Sequence, residues 1–510
     1  MRQGSTLPSR RPAAMAAFLA ALLTSAVASG DTLLQVYEKA VRSDPLVREA
    51  EANMLAIQQG KPIARGSLLP QITGRYNINK TSSDGETVTT IGNQPPIPRL
   101  IDARDTDANF WSLELRQSVF RWDQWVSLSK ADKQASQADV DYQAAQQDLA
   151  VRVAEAYFNV LAAEDTLASE QAAKDAIGRQ LEQAQKRFEV GLIAITDVQE
   201  AQAAYDQAQA AEILAKRTLA NQQEVLRTII DESPPTLAKP GEEMPLRSPN
   251  PADADQWVEL AMQQNRSLIS SQIGAEIAKA EVSIARTGHY PTVDFVAQRT
   301  NTDNTGFSRS PCTIAPTNNC VDADNNPIPN GTLLRYGTGT DLENDSLSLQ
   351  FALPIFSGGS TSARVEQAVY QHRAARERLE RTARETERQT RDAYLGVISG
   401  ISRVQALKQA FESAKTALKA TEAGYDVGTR TTVDVLDARR TLFTAETNYL
   451  RSRYDYLING LRLKQAAGTL TIEDIAVIDS MLTATSSPPP AGSITPVNPA
   501  STPAQGRPAP

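Results

Sequence analysis

The sequence predicts an α+β membrane protein in which long antiparallel helical hairpins are combined with β-strands. Three observations support this prediction: an internal repeat, two stretches of more than a hundred residues without proline, and four segments in which apolar and polar residues alternate. A unit that pairs helix and strand patterns in the same order, used twice, indicates a pseudo-symmetric assembly rather than a protein with one pocket.

The repeat is clearest around two glycines. The segment RFEVGLIAITDVQEAQAAYD (187–206) recurs as GYDVGTRTTVDVLDARRTLF (424–443), with Gly191 matching Gly428 at a constant shift of 237 residues. Strand-like segments upstream of each copy also recur in the same order. The chain therefore contains two internal repeats.

The N-terminus has the pattern of a signal peptide. Three arginines among the first eleven residues precede an apolar run over 13–27, and either Ala28 or Gly30 ends a small-residue cleavage site. Residues 1–30 hold three arginines and no acid, so the formal net charge of −8 for the whole chain becomes −11 after removal. An exported acidic protein is a poor partner for nucleic acid.

The distribution of proline predicts the helices. No proline occurs between Gln124 and Ser233 or between Ile355 and Ser487. Since proline interrupts helices, each stretch is predicted to form one long helical hairpin. A helix over about 123–190 would be roughly 100 Å long at 1.5 Å per residue, which predicts an elongated bundle.

Each hairpin is predicted to turn at a glycine, Gly191 or Gly428, because glycine readily takes the left-handed conformation that ends a helix. Small and apolar residues recur at steps of three and four in the helices that follow, which is typical of coiled-coil packing. These positions are Val198, Ala201, Tyr205, Ala208, Glu212, Ala215, Leu219, Gln222 and Leu226 in the first repeat, and Val435, Ala438, Leu442, Ala445, Tyr449, Ser452, Tyr456, Asn459 and Leu463 in the second.

Four segments with a period of two predict strands of about ten residues. Their apolar positions are Ile72, Gly74, Tyr76 and Ile78; Trp111, Leu113 and Leu115; Val293, Phe295 and Ala297; and Leu347, Leu349, Phe351 and Leu353. This alternation suits a membrane barrel with lipid outside and water inside, and a soluble half-buried sheet is the alternative. The polar inserts 80–108 and 301–344 would then be external loops.

Four strands cannot close a water-filled barrel, and open strand edges are not tolerated in lipid. The simplest closure is a homotrimer that shares one 12-stranded transmembrane barrel. The predicted domains are a signal peptide (1–30), repeat 1 (31–235), a proline-rich equatorial linker (236–252), repeat 2 (253–475) and a disordered proline-rich tail (476–510).

No constellation of residues predicts catalysis. The only histidines, His289 and His372, are 83 residues apart and in no metal or triad pattern, so we expect no enzyme, no cofactor and no structural metal. Cys312 and Cys320 lie in one polar segment, where an exported protein would form a disulfide that staples a loop; two free thiols are the alternative.

The motifs FEVGLIAITDVQEAQAAYD and EAGYDVGTRTTVDVLDA, with the strand entries LLPQITG and SLSLQFALPIF, resemble the TolC family of outer membrane factors over about residues 31–475. The resemblance implies a barrel in the outer membrane, in contact with its lipid and continuous with a long periplasmic α-barrel. It also implies docking to a periplasmic membrane-fusion adaptor and an inner-membrane RND or ABC pump. The segment with the two cysteines departs from the family pattern.

The resemblance also implies roles for residues at the hairpin ends. The positions that match the family's periplasmic gate are Gln180, Thr196, Asp197, Glu422, Tyr425 and Arg430. Those that match a cation-binding ring at the constriction are Asp434 and Asp437, and those that match the adaptor-docking tips are Gly191, Leu192, Gly428 and Thr429.

Ordinary structural roles compete with these assignments. Asp434 and Asp437 share one helical face, and they could simply be helix-start acids with Thr431 or Thr432 as the cap. Asp197 and Arg430 could form a locking contact or be two unrelated surface charges. Thr196 with Gln199 also fits a helix capping box.

The sequence thus predicts a gated, passive outer-membrane duct for drug efflux or type I protein secretion, extending into the periplasm. One rival is a periplasmic coiled-coil adaptor or tether without a pore, which would need no lipid-facing strands and no aromatic girdle such as Trp111 and Tyr76 suggest. A cell-envelope enzyme is the other rival, and it lacks any nucleophile–base or metal pattern.

Overall fold

The computed structural model describes residues 30–89, 97–233, 236–241, 244–311, 324, 326–329 and 332–483. Residues 1–29 of the predicted signal peptide, the pair Cys312 and Cys320, and residues 484–510 lie outside the described residues. Within the described ranges, no helix combines the length and the apolar character that crossing a membrane requires.

Helices and strands follow the order of two related halves. The first half contains α1 (Leu33–Ser43), α2 (Pro45–Gln58), α3 (Gly60–Gly66), β1 (Gln71–Thr89), β2 (Ile97–Phe120), α4 (Trp122–Glu189), α5 (Ile195–Ile230) and β3 (Lys239–Pro240). The second half contains α6 (Ala254–Gln264), α7 (Arg266–Thr287), β4 (Thr292–Pro311), β5 (Leu333–Ala352), α8 (Ser360–Asp426), α9 (Thr432–Ala466), α10 (Ile472–Asp479) and β6 (Leu482–Thr483).

The two long helical hairpins are confirmed. Helix α4 has 68 residues and α8 has 67, so each is roughly 100 Å long. Both hairpins turn at the expected glycines, with φ of +73° at Gly191 and +79° at Gly428. The left-handed conformation at these two glycines ends α4 and α8 and lets the chain reverse direction before α5 and α9.

The long helices form one wall in two tiers. In the tier next to the strands, α2 packs on α4, α4 on α7, and α7 on α8. In the tier next to the turns, α5 packs on α4, α4 on α9, and α9 on α8. Helices α4 and α8 run through both tiers, whereas α2 and α7 belong to the first tier and α5 and α9 to the second. The short helix α6 packs on α8, and α1 packs on α4.

The main apolar core lies where the two tiers meet, a level that we call the equator. Tyr157 and Phe158 of α4 are fully buried there, and the Phe158 ring stacks on Tyr454 of α9 with 5.7 Å between ring centroids. The Tyr157 hydroxyl donates a hydrogen bond of 2.7 Å to the carbonyl oxygen of Ala238 in the linker. The equator therefore joins both hairpins to the chain that connects them.

The C-terminal part of the described chain is ordered further than predicted. The tail was expected from residue 476, but α10 continues to Asp479 and β6 pairs with β3. Ile475, Ile478 and Leu482 are buried in the equatorial core. The prediction was wrong here because the boundary was drawn from the prolines, whereas these apolar residues and the Thr471–Asp474 capping box are the local signals of a helix.

The predicted seam positions lie largely inside the hairpins. In α5 they are buried at Val198, Ala201, Ala208, Glu212, Ala215 and Leu226, and in α9 at Val435, Ser452, Tyr456 and Leu463. Many of these residues are small, so the helix axes can approach closely. The recurrence at steps of three and four therefore marked the packed faces of both helices.

The strands form one antiparallel sheet in the order β1-β2-β4-β5. Their lengths differ from the prediction, since they have 19 to 24 residues and extend into the segments 80–108 and 301–344 that were expected to be loops. Backbone pairing continues there, for example between Asn304 and Thr340. Main-chain hydrogen bonds do not require apolar side chains, so alternation identified only part of each strand.

The predicted apolar positions share one face of the sheet. The register places Ile72 opposite Leu115, Leu115 opposite Ala297, and Ala297 opposite Leu347. On this face Tyr76 lies opposite Trp111. The opposite face includes the buried residues Ser112, Asp294 and Val296.

Asp294 ties the sheet to the first long helix. Its carboxylate accepts hydrogen bonds from Arg116 Nη2 (2.8 Å), Arg121 Nε (2.9 Å) and Arg121 Nη2 (2.6 Å). Arg121 is the N-cap residue of α4, directly after β2. One nearly buried anion on β4 therefore holds the point at which strand β2 becomes helix α4.

Candidate functional site

The candidate site is the end of the two hairpins farthest from the sheet. The predicted docking residues Gly191 and Leu192 form the first turn, and Gly428 and Thr429 form the second. Leu192 is 73% exposed and Val427, next to Gly428, is 75% exposed. Each turn is closed by backbone hydrogen bonds to the preceding helix, so it presents apolar side chains on a rigid loop.

Tyr425 contacts both hairpins. The guanidinium carbon of Arg187, near the end of α4, lies 4.9 Å from the centre of the Tyr425 ring, a cation–π geometry. The Tyr425 hydroxyl also lies 3.5 Å from Thr432 Oγ1 at the start of α9. The resemblance selected Tyr425, but nothing in the sequence selected Arg187, whose partner is 238 positions away.

Glu422 is part of a link that sequence reasoning missed. Arg439 of α9 donates from Nη2 to Glu422 Oε1 at 2.8 Å and from Nη1 to the carbonyl oxygen of Ala176 at 3.1 Å. A single guanidinium thus joins α9 to α8 and to α4. Its partners are 17 and 263 residues away, so no local pattern could identify it.

The remaining predicted gate residues make fewer contacts. Gln180 is buried, and its side-chain nitrogen has no hydrogen-bond partner within the described chain. Over the same described residues, no ion pair joins Asp197 to Arg430. The Arg430 stem instead covers Gly424, where an added Cβ would lie 2.8 Å from Arg430 Cγ. The described residues of one protomer therefore show no Asp197–Arg430 ion pair, and the lock stays a prediction.

The start of α5 also differs from the prediction. Helix α5 begins at Ile195 with Ala194 as its N-cap residue, and no side-chain hydrogen bond caps it. Thr196 is consequently inside the first turn, where it cannot serve as the cap residue of a box with Gln199. The predicted capping role of Thr196 is thus wrong.

Asp434 has a clear local role. Thr431 is the N-cap residue of α9, and its backbone amide donates to Asp434 Oδ2 at 2.9 Å in a capping box. The hydrogen bonds from the Thr431 amide and hydroxyl lower the pKa of the Asp434 carboxyl. Asp437 follows three residues later with its side chain exposed. The helix-start interpretation holds for Asp434, and both acids still share one face of α9.

Comparison with known proteins places the fold and this site in a family. The family described as outer membrane efflux protein matches residues 36–231 and 257–469, which together are most of the chain. The chain belongs to this family. The resemblance drawn from the motifs is thereby confirmed, as is the predicted location in the bacterial outer membrane. Members of the family are channel proteins.

Several members are similar over nearly their whole length. Outer membrane protein TolC of Vibrio cholerae is 36% identical over 462 residues, covering 90% of this chain and 95% of the relative. TolC of Escherichia coli K12 is 35% identical over 463 residues, covering 90% and 86%. The alkaline protease secretion protein AprF of Pseudomonas aeruginosa is 29% identical over 467 residues, covering 91% and 89%.

Solved structures of outer-membrane channels share the fold. The outer membrane protein VceC of Vibrio cholerae superposes with a TM-score of 0.64 at 18% identity, covering 86% of this chain and 96% of VceC. The Campylobacter jejuni CmeC channel gives 0.64 at 17% identity, covering 89% and 90%. The α+β architecture of hairpins and strands predicted from the sequence is confirmed.

Side chains that could hold a metal ion do not converge in the described part of this family member. No group of three or more His, Cys, Asp and Glu residues there is placed to hold a metal ion. Each of the acids Asp434 and Asp437 would need copies from other protomers to form a ring.

An ion-pair cluster around one nearly buried carboxylate joins α4 and α5 halfway along α5. Glu212 is nearly buried and contacts Lys174 Nζ of α4 at 2.8 Å and Lys216 Nζ at 2.7 Å. Hydrogen bonds from Lys174 and then Lys216 lower the pKa of Glu212 from 4.5 to about 2. A lowered carboxyl pKa stabilises the folded protein above pH 4.5, and this contribution is lost as the pH falls towards 2.

We therefore expect Glu212→Gln to lower the melting temperature by a few degrees at pH 7, with a difference that disappears near pH 2. Circular dichroism of the detergent-solubilised protein would measure both. Glu200→Gln, at an exposed position of the same helix, is the matched control and should change little. An equal loss at both pH values would show that the cluster acts through packing alone.

Proposed function

We propose that this protein is a passive, gated duct of the outer membrane that works as a homotrimer in drug efflux, type I protein secretion or both. The observation that carries the proposal is that a single chain joins an open four-stranded sheet to helical hairpins roughly 100 Å long. A soluble sheet would cover its apolar face, whereas here Leu347 is 78% and Ile72 68% exposed on that face.

The trimer follows from the open edges of the sheet. Strands β1 and β5 each have one unpaired side, and a lipid environment does not tolerate unpaired backbone groups. Three copies give twelve strands, enough for a water-filled barrel. The apolar face would then contact lipid, and the opposite face, with Ser112 and Asp294, would line the lumen.

The tips are the proposed docking and gating end. Exposed apolar residues at the two turns suit a periplasmic membrane-fusion adaptor, and an inner-membrane RND or ABC pump would supply the energy. Relatives support both kinds of cargo: AprF is named for secretion of an alkaline protease, and TtgC of Pseudomonas putida is named as a probable efflux pump outer membrane protein. A periplasmic tether without a pore fits less well, because it has no use for a lipid-facing sheet.

The gate would work by shared contacts between neighbouring helices. In each protomer Arg439 holds α4, α8 and α9 together, and Arg187 holds Tyr425 across the two hairpins. Opening would require these contacts to break together in three copies. The free energy that favours the closed tips is then three times that of the contacts in one protomer. Thr196, Asp197, Gln180 and Arg430 remain candidates for contacts between protomers. No residue is assigned a catalytic role.

Reconstitution in a planar bilayer, with the oligomeric mass measured in detergent, tests the proposal. The expected result is a trimer that conducts ions at low conductance and opens when gate contacts are removed. A monomer that never conducts would contradict both the duct and the trimer.

Asp434 and Asp437 are proposed to form the cation-binding ring. Three copies would bring six carboxylates around the axis, where they attract cations. We expect Asp434→Asn with Asp437→Asn to lose most of the block by a trivalent cation such as hexamminecobalt and to become less cation-selective. Single-channel recordings would measure both. Asp426→Asn, at the end of α8, is the control, and unchanged block in the double variant would place the site elsewhere.

A further inference from the structure

An apolar pocket opens at the equator beside the proline-rich linker. Its volume is about 280 Å³, and its walls come from the linker, α6, α8, α9 and α10. The floor consists of nearly buried side chains, whereas Val477 of α10 at the rim is 52% exposed and Pro245 of the linker is also exposed. Pockets for drug-sized ligands usually measure about 300–1,000 Å³, so this one suits a short peptide segment better than a transported compound.

Two aromatic residues of the floor offer the pocket only apolar surface, because their polar atoms are already bonded. The Tyr456 hydroxyl donates to the carbonyl oxygen of Arg247 and accepts from its amide, both at 2.9 Å. The Trp257 indole nitrogen donates to the carbonyl oxygen of Pro251 at 2.8 Å.

The charged groups around the pocket do not require a charged ligand. Lys464 and Asp474 pair with each other, and Arg247 is exposed, so that water can solvate its guanidinium group. The pocket therefore favours an uncharged, apolar ligand.

The chain leaves the described structure at the wall of this pocket. Met481 lines the pocket, and the next two residues, Leu482 and Thr483 of β6, pair with β3 in the linker. Residues 484–510 follow, and a run of three prolines begins at Pro488. The five residues from Thr483 to Pro488 can span up to about 17 Å, enough to turn back over a pocket whose wall includes Met481.

The composition of this tail fits the pocket. Between residues 484 and 506 there is no Asp, Glu, Lys or Arg, and six prolines occur. Proline-rich segments favour the polyproline II conformation, which docks into aromatic-lined grooves at a low cost in conformational entropy. Since the tail is tethered at the rim, its effective concentration at the pocket is on the order of millimolar, and a weak contact is sufficient.

We propose that the proline run 488–490 docks into the equatorial pocket of its own chain, against Trp257, Tyr456 and Val477. The docked segment joins the end of the chain to the linker and to α10, at the level where the two tiers of helices meet. The contact is made within one protomer, so it depends neither on the homotrimer nor on the gate of the proposed function.

Disulfide formation within the full-length chain tests the docking, in a Cys312→Ser/Cys320→Ser background. We expect Val477→Cys with Ala491→Cys to form a disulfide on mild oxidation, because residue 491 directly follows the docked prolines and facing Cβ atoms then come within about 3.5–4.5 Å. Peptide mass spectrometry after alkylation would measure the rate at which the disulfide forms.

Ile472→Cys with Ala491→Cys is the matched control. Ile472 is on the same helix and is 59% exposed, but it does not line the pocket, so its disulfide should form at least tenfold more slowly. Equal rates in the two pairs, or no disulfide in either, would overturn the docking and leave the duct intact. A disulfide that joins two chains would overturn the assignment to the same chain.

The reactivity of the tail gives a second measurement. A single thiol at Ala491→Cys should react with a maleimide several-fold more slowly than one at Ser501→Cys, farther along the tail. Val477→Gln should remove most of this difference, because it places a polar side chain in the apolar pocket, whereas Ile472→Gln should preserve it. Equal reactivity of the two thiols with the pocket unchanged would also overturn the docking.

Discussion

Replacing Asp294 with alanine is expected to prevent stable assembly of the protein. The carboxylate is 5% exposed and is the shared partner of Arg116 and Arg121. Its removal leaves two guanidinium groups close together without an anion at the point where β2 becomes α4. The guanidinium groups of Arg116 and Arg121 are 47% and 29% exposed and can be partly solvated, so the loss is about 1.5–3 kcal/mol for each charged contact. Each protomer loses both ion pairs, and the losses add over the three protomers of the proposed trimer.

The dissociation temperature of the trimer on unheated gels, and near-ultraviolet circular dichroism, would measure the loss. Asp303→Ala on the same strand is the control, since no ion pair of Asp303 occurs among the described residues. If the Asp294 variant does not fold, combining Asp294→Leu with Arg116→Met and Arg121→Met should restore assembly, because an apolar cluster can replace a buried ionic one. A trimer of unchanged stability in Asp294→Ala would contradict the role given to this residue.

Arg439→Ser is expected to raise the single-channel conductance several-fold. The substitution removes the donors to Glu422 and to the carbonyl oxygen of Ala176, which join three helices near the tips. Glu422 is 39% exposed and can be solvated again, so the loss is about 1–2 kcal/mol in each protomer. Over three protomers this shifts the balance between closed and open tips by about a hundredfold or more.

Arg440→Ser is the matched control, because Arg440 is exposed at the next position of the same helix. It should conduct like the unsubstituted protein. Glu422→Gln should give an intermediate conductance, since the bond to Ala176 is retained. A lower melting temperature of Arg439→Ser without any rise in conductance would assign Arg439 to stability and not to the gate.

The sequence predicted correctly those features whose signals lie within short stretches of neighbouring residues. The helix over 123–190 and the turns at Gly191 and Gly428 follow from proline, glycine and the recurrence of small residues, all within neighbouring positions. The strands were found only where one face must be apolar. Their polar extensions carry no such signal, since paired backbone alone holds residues such as Asn304 in the sheet.

The site was less predictable because its contacts join distant parts of the chain. Arg187 meets Tyr425, and Arg439 meets Ala176, through the packing of one hairpin on the other. The resemblance supplied one member of each group and not its partner. It also suggested a contact between Asp197 and Arg430 that the fold of a single protomer does not make.

The division of the wall into continuous and interrupted helices has a mechanical consequence. Helix α5 has 36 residues and α9 has 35, so each is a rigid lever roughly 50 Å long whose fulcrum is the equatorial core. A swing of about 10° at that fulcrum carries the far end through about 9 Å, close to the diameter of a helix. In the proposed gate, a slight repacking around Tyr157 and Phe158 would thereby be amplified into a displacement of the tips by nearly the width of a helix.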